Sequence, residues 1–129
     1  MPKARQLSAW VEDRPGMLGE VASALAARKV NILAFMVGAA EGRSVVRLVV
    51  DKPATARKVL AERGWEPSEE DVVQVTLADV PGSLGGAAKK LGDAGVNIRY
   101  AYTGSAHSAR KVNTYFAVED VKAGLRALR

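Results

Sequence analysis

Cysteine is absent from this 129-residue chain. That excludes a disulfide framework and thiolate metal sites, and it suits a reducing compartment. Histidine occurs once, as His107, in a polar stretch with no second ligand near it in sequence, so a metal site has little to be built from. No apolar run reaches the ~20 residues of a membrane span, and the first five residues (Met, Pro, Lys, Ala, Arg) lack the apolar stretch of a secretory signal. No serine–histidine–aspartate set, phosphate loop or Cys/His cluster appears. The expectation is a cytoplasmic, non-enzymatic protein with no metal, no cofactor and no membrane contact.

Basic residues are present in excess, giving a net charge of +5 and a pI near 9.7. Nucleic-acid binding would gather them on one face with stacking aromatics between them. Instead Arg43, Arg47, Arg57, Lys58, Arg63, Lys89, Lys90, Arg110, Lys111, Arg126 and Arg129 are spread along the chain, several near acids such as Glu62 and Asp93. This reads as a solvated alkaline surface, and no nucleic-acid partner is expected. Hydrophobic residues make up 48% of the chain, enough for one compact domain or two small joined ones.

A repeat decides between these. Asp13, Arg14, Pro15, Gly16, Met17 and Leu18 return 66 positions later as Asp79, Val80, Pro81, Gly82, Ser83 and Leu84, and Val30, Asn31, Ile32 return at the same offset as Val96, Asn97, Ile98. Ten of the twenty positions in 13–32 are identical to those in 79–98, where chance gives roughly one or two. The chain is an internal duplication, with copies expected at 1–68 and 69–129. Alone, each would be near the lower size limit for independent stability.

Each copy shows the same order of elements. Residues 6–12 alternate Leu7, Ala9 and Val11 with polar neighbours, as a strand does. Pro15 suits a first helical turn, and Leu18, Val21, Ala22 and Leu25 form an apolar stripe. Strands are expected at 32–40 and 44–50 around a Glu41-Gly42 turn, then a helix at 53–63 capped by Asp51, with Ala56, Val59 and Leu60 inward. Trp65 and Glu66 begin a short fourth strand. The second copy repeats this with a strand at 72–78, a helix from Pro81 with Leu84, Ala87, Ala88 and Leu91 inward, and a strand at 98–103. A polar loop at 104–109, a strand at 111–118 and a helix capped by Asp120 follow, with nothing left for a fourth strand. The fold class is α+β: two ferredoxin-like βαββαβ units, the second lacking its last strand, forming a continuous antiparallel sheet through strands 32–40 and 98–103, with the helices on one face. Without its fourth strand, 72–78 keeps a β-prone, uncharged open edge, which predicts a homodimer or larger symmetric oligomer.

The motif Asp-x-Pro-Gly-x-Leu, a helix, then Val-Asn-Ile resembles the ACT domain, a small-molecule-sensing module that often regulates amino-acid metabolism. The likeness covers nearly the whole chain as a tandem pair. It implies that a free amino acid binds at the seam between paired domains. Asp13, Arg14, Pro15, Gly16, Met17 and Leu18 would face Asn97 and Ile98, and Asp79, Val80, Pro81, Gly82, Ser83 and Leu84 would face Asn31 and Ile32. The enzyme such a sensor regulates is not named by the sequence.

The turn chemistry can be argued independently. Gly16 and Gly82 let a ligand approach the backbone, and the unpaired amides at 16–18 and 82–84 suit a carboxylate. Asp13 or Asp79 can hold an ammonium, with Asn31 or Asn97 adding an acceptor and a donor. A structural reading stands beside this: the aspartates cap their helices and the asparagines pin their turns. Tyr100, Tyr102, Phe35 and Met36 either line the seam or are half-buried strand residues. Three other functions are weaker. A scaffold or protein-interaction module needs no ligand. An RNA-binding sheet lacks its aromatic signature in 44–50 and 111–117. An acylphosphatase-like use of Arg14 and Asn31 has no further site residues.

Overall fold

The computed structural model describes residues 3–129, which form six strands and four helices. Two compact units account for them: Arg5–Glu70, and Asp71–Arg129 together with Lys3 and Ala4.

In the first unit, β1 (Lys3–Glu12) pairs antiparallel with β3 (Arg43–Val50), matching Leu7 to Leu48 and Glu12 to Arg43. On its other side, β3 pairs with β2 (Ile32–Ala40), with a register shift between Ile32 and Ala34. Alternation along β1 and β3 buries Leu7, Ala9, Val11, Val46, Leu48 and Val50 in one core. Helix α1 (Met17–Ala27) adds Met17, Val21, Ala24 and Leu25, and α2 (Pro53–Glu62) adds Ala56, Val59 and Leu60. The stripe on α1 differs from the expected one: Met17 is 6% exposed and Leu18 39%. Gly16 sits at φ +91°, outside the helix, so the helix starts at Met17 and its inward face turns with it.

The second unit repeats the arrangement. β4 (Ser68–Ala78) pairs with β6 (Lys111–Val118), which pairs with β5 (Ile98–Ser108). Helices α3 (Ser83–Asp93) and α4 (Val121–Ala127) supply the helical layer. Leu84 is again exposed, while Ala87 and Leu91 are buried. The expected 104–109 loop is mostly strand, because β5 continues through two register shifts to a turn at Ala109 and Arg110. Asp120 caps α4, its Oδ1 accepting from the Ala123 amide at 3.0 Å. Asp51 does not cap α2; its carboxylate accepts from the Asn31 amide at 2.9 Å.

The fourth strand at Trp65 and Glu66 is not formed. Gly64 and Glu66 have φ of +76° and +44°, which breaks any extended run. Trp65 makes one backbone bond to β1, its carbonyl accepting from the Trp10 amide at 2.9 Å, while its side chain joins the core. Both units are therefore βαββα. Residues 68–70, which open β4, belong to the first unit, where Glu70 Oε1 accepts from Gln6 Nε2 at 3.1 Å. Lys3 and Ala4, which open β1, belong to the second, where Lys3 Nζ lies 3.5 Å from Asp71 Oδ2. The residues just before the expected edge strand 72–78 thus bond to residues at the start of β1. The open continuous sheet expected of the pair is not found either. Such a sheet leaves rows of unpaired backbone groups at its ends. What stands is a three-stranded antiparallel sheet in each unit.

Candidate functional site

The two Asp-x-Pro-Gly turns share one backbone conformation. Gly16 and Gly82 are both at φ +91°, immediately before their helices. A Cβ at either position would meet nothing within 4 Å, so φ rather than space calls for glycine, and the helix starts are open above. Neither helix carries a side-chain cap. Asp13 Oδ1 accepts instead from Ser44 Oγ at 3.1 Å, and Asp79 is tied through its backbone, its amide donating to the Arg110 carbonyl at 2.7 Å. The Ser83 amide donates to the Val80 carbonyl at 3.3 Å, so the amides expected to be unpaired at 82–84 are not all free, and the positive end of the helix dipole lies behind both turns.

Around these turns the copies differ. Arg14 is clamped by carboxylates, with Nη2 2.9 Å from Glu20 Oε2 and Nε 3.2 Å from Glu12 Oε2. Glu20, then Glu12, raises its guanidinium above the ordinary arginine range. Val80, its counterpart, is 51% exposed and Leu84 is 58% exposed, leaving an apolar rim. Pro15 and Pro81 are exposed on both turns, while Met17 is buried and Ser83 half-buried.

Asn31 and Asn97 are fixed at the far ends of the helices. Asn31 bonds reciprocally to Asp51: its amide donates to Oδ1 and its carbonyl accepts from the Asp51 amide at 3.1 Å. Asn97 Nδ2 instead donates to Glu119 Oε1 at 3.5 Å. Ile32 and Ile98 are half-buried against their own cores. Within one unit the turn and the asparagine are separated by α1 or α3, eleven residues each, about 16 Å at the helical rise. No single unit brings the two expected halves of the site together.

Each unit does hold a cleft beside its turn. In the first, about 280 Å³ is enclosed by the end of β1, the start of α1 and the 64–66 turn, with Trp10, Arg14, Met17, Arg43, Arg63 and Trp65 among its walls. In the second, about 380 Å³ lies between β4 and the start of α3, lined by Val75, Leu77, Ser83, Gly86, Ala87 and Lys90 among others. The first cleft takes in residues that sequence reasoning passed over, Trp10, Glu12, Glu20, Arg43, Arg63, Trp65 and Glu66. The one available signal was that both tryptophans fall at strand or turn positions close to charged residues.

A family model described as an ACT domain pair matches residues 3–110. The chain belongs to the ACT domain pair family. ACT units are ferredoxin-like and act as regulatory amino-acid-binding modules. Among solved structures, the ACT pair is similar to protein BT0572 from Bacteroides thetaiotaomicron, at 27% identity and TM-score 0.87, over 98% of this chain and 86% of that one. It also shares its fold with the regulatory subunits of aspartate kinase from Thermus thermophilus (ligand-free form) and Thermus flavus. Each is 22% identical, with TM-scores of 0.67 and 0.63; the matches cover 98% and 99% of this chain and 90% and 91% of those. No curated protein matched the sequence. Among the described residues, no helix of this ACT pair is long and apolar enough to cross a membrane.

Proposed function

We propose that this ACT pair, with domains at 1–68 and 69–129, is a non-enzymatic cytoplasmic sensor of a free amino acid, acting on amino-acid metabolism through a partner enzyme. The ligand sits where the turn of one domain, 13–18 or 79–84, faces the strand start of the other, Asn97 and Ile98 or Asn31 and Ile32. The observation that carries this reading is the pair of uncapped helix starts behind left-handed Gly16 and Gly82. An α-carboxylate takes the helix-start amides other than that of Ser83, which donates to the Val80 carbonyl. The helix dipole and charge-assisted hydrogen bonds favour such a site. Asp13 or Asp79 holds the ammonium, and an asparagine amide completes the set.

Free amino acids should bind in the micromolar to millimolar range, roughly −8 to −4 kcal/mol, and raise the melting temperature by mass action. A thermal-shift screen of all twenty tests this. Silence from every amino acid at millimolar concentration, with the protein folded, contradicts the sensor and favours a scaffold or protein-interaction role. A homodimer or larger symmetric oligomer, expected from the sequence, is a separate proposal that light scattering at micromolar concentration checks.

A further inference from the structure

The first unit's cleft shares Arg14 and Met17 with the turn at 13–18 and adds chemistry that the turn-and-asparagine site does not use. Three guanidinium groups (Arg14, Arg43, Arg63) and three carboxylates (Glu12, Glu20, Glu66) ring it, together with two indoles. Arg43 lies over the Trp10 ring, 4.7 Å from its centroid, and its Nη1 is 3.2 Å from Glu66 Oε1. Arg63 lies over Trp65 at 5.4 Å. Among the described residues, Arg63 pairs with no carboxylate. The ion pairs are exposed, with the Arg14 and Arg43 side chains each 47% accessible, so they add little to stability and exchange readily for a ligand's charges.

Equal numbers of cations and anions give no net attraction for a polyanion, but they offer partners to both poles of a zwitterion. The indoles provide an apolar wall and cation–π faces. A volume of about 280 Å³ is just below the usual small-molecule pocket range of about 300–1,000 Å³, which suits an amino acid and is tight for a nucleotide. We infer that this cleft is a second amino-acid site, contained in one unit. Arg63 takes the ligand's carboxylate, Glu12 or Glu66 its ammonium, and Trp10 and Trp65 its apolar side chain. The inference rests on reading the chain as an amino-acid sensor and adds a site that needs no second unit.

Trp10 and Trp65, the only tryptophans in the chain, both line this cleft, so their emission responds to its occupancy. The full chain is titrated with phenylalanine, leucine and methionine, following tryptophan emission and calorimetric heat in parallel. Arg63→Gln and Glu66→Gln test the cleft, and an Asn31→Ala, Asn97→Ala double variant tests the other site; thermal melts confirm folding of each. The cleft is supported if emission shifts saturably and Arg63→Gln weakens that response at least tenfold. It is overturned if the emission response survives Arg63→Gln, or if calorimetry shows binding that leaves emission unchanged. In the latter case, loss of the heat in the asparagine variant leaves the sensor reading standing without the cleft. No heat and no emission change with any of the three overturns the cleft, and the sensor reading is then decided by the thermal-shift screen of all twenty.

Discussion

The two units share a backbone plan and differ in what fills it. Beside equivalent turns, Met17, Glu20 and Val21 stand in the first unit where Ser83, Gly86 and Ala87 stand in the second. The first cleft is consequently smaller, charged and aromatic, and the second is larger and mainly aliphatic, with Lys90 its one charged wall residue. The cores follow the same trend. Among the described residues, fifteen buried ones form the first and six the second, where Val75, Leu77 and most of the inward side of α4 are only half-buried. Duplication kept the turn, whose φ demands glycine, and left the walls free to diverge.

The largest effects should come from equivalent core leucines. Leu25 and Leu91 lie at matching positions and are both fully buried. Truncation to alanine should cost about 2–5 kcal/mol at either site, with Leu25→Ala at the upper end because its surroundings are more completely buried and collapse less. Urea unfolding followed by hydrogen exchange of each unit measures this, and equal costs would dissolve the comparison.

Gly124 gives a somewhat smaller effect. A Cβ there would lie 3.2 Å from Val73 Cγ2 and 3.3 Å from Val118 Cγ2, so Gly124→Val should destabilise the second unit by about 1–3 kcal/mol through overpacking. In the other direction, Ser83→Met with Ala87→Val, which restores the first unit's side chains, should gain about 0.5–2 kcal/mol by filling the open cleft. A lower melting temperature for that double variant would show that the second cleft is not spare room.

How far the sequence showed all this varies by element. The bounds of β2 and β6 and the Glu41-Gly42 turn follow from alternation and turn chemistry, which act locally. The apolar spacing of Leu18, Val21, Ala22 and Leu25 predicts Leu18 inward. The left-handed Gly16 delays the start to Met17, and a stripe read from composition does not record that rotation. Trp65 looked like a strand residue; its place in the core depends on positive φ at Gly64 and Glu66, and Glu66 carries no glycine-like signal. The candidate turns were legible because they recur. The charged cleft was not, since Glu12, Arg43, Arg63 and Glu66 meet only through tertiary folding.

Capping separates the aspartates. Asp120→Ala should cost about 1 kcal/mol, since its carboxylate holds the Ala123 amide. Asp13→Ala and Asp79→Ala should stay within about 0.5 kcal/mol, as neither caps its helix. A cap-sized loss at Asp13 or Asp79 would restore the structural reading of the motif. The smallest effect concerns pH. Tyr115 is buried and stacks on Tyr102, with ring centroids 5.4 Å apart, and burial raises its phenol above 10.0. The unfolded chain therefore loses that proton first, so Tyr115's contribution is complete below pH 10 and declines as pH rises through the folded value. Tyr115→Phe should flatten that alkaline decline in a melt series.

This ACT pair is proposed to hold a free amino acid. Equilibrium dialysis of the intact chain against an equimolar mixture of the twenty amino acids, with the retained species identified by mass spectrometry, tests it most directly. Selective retention of one or a few amino acids is expected, reduced by disabling the glycine turns through Gly16→Val and Gly82→Val. Retention of none, by protein that remains folded, would contradict it.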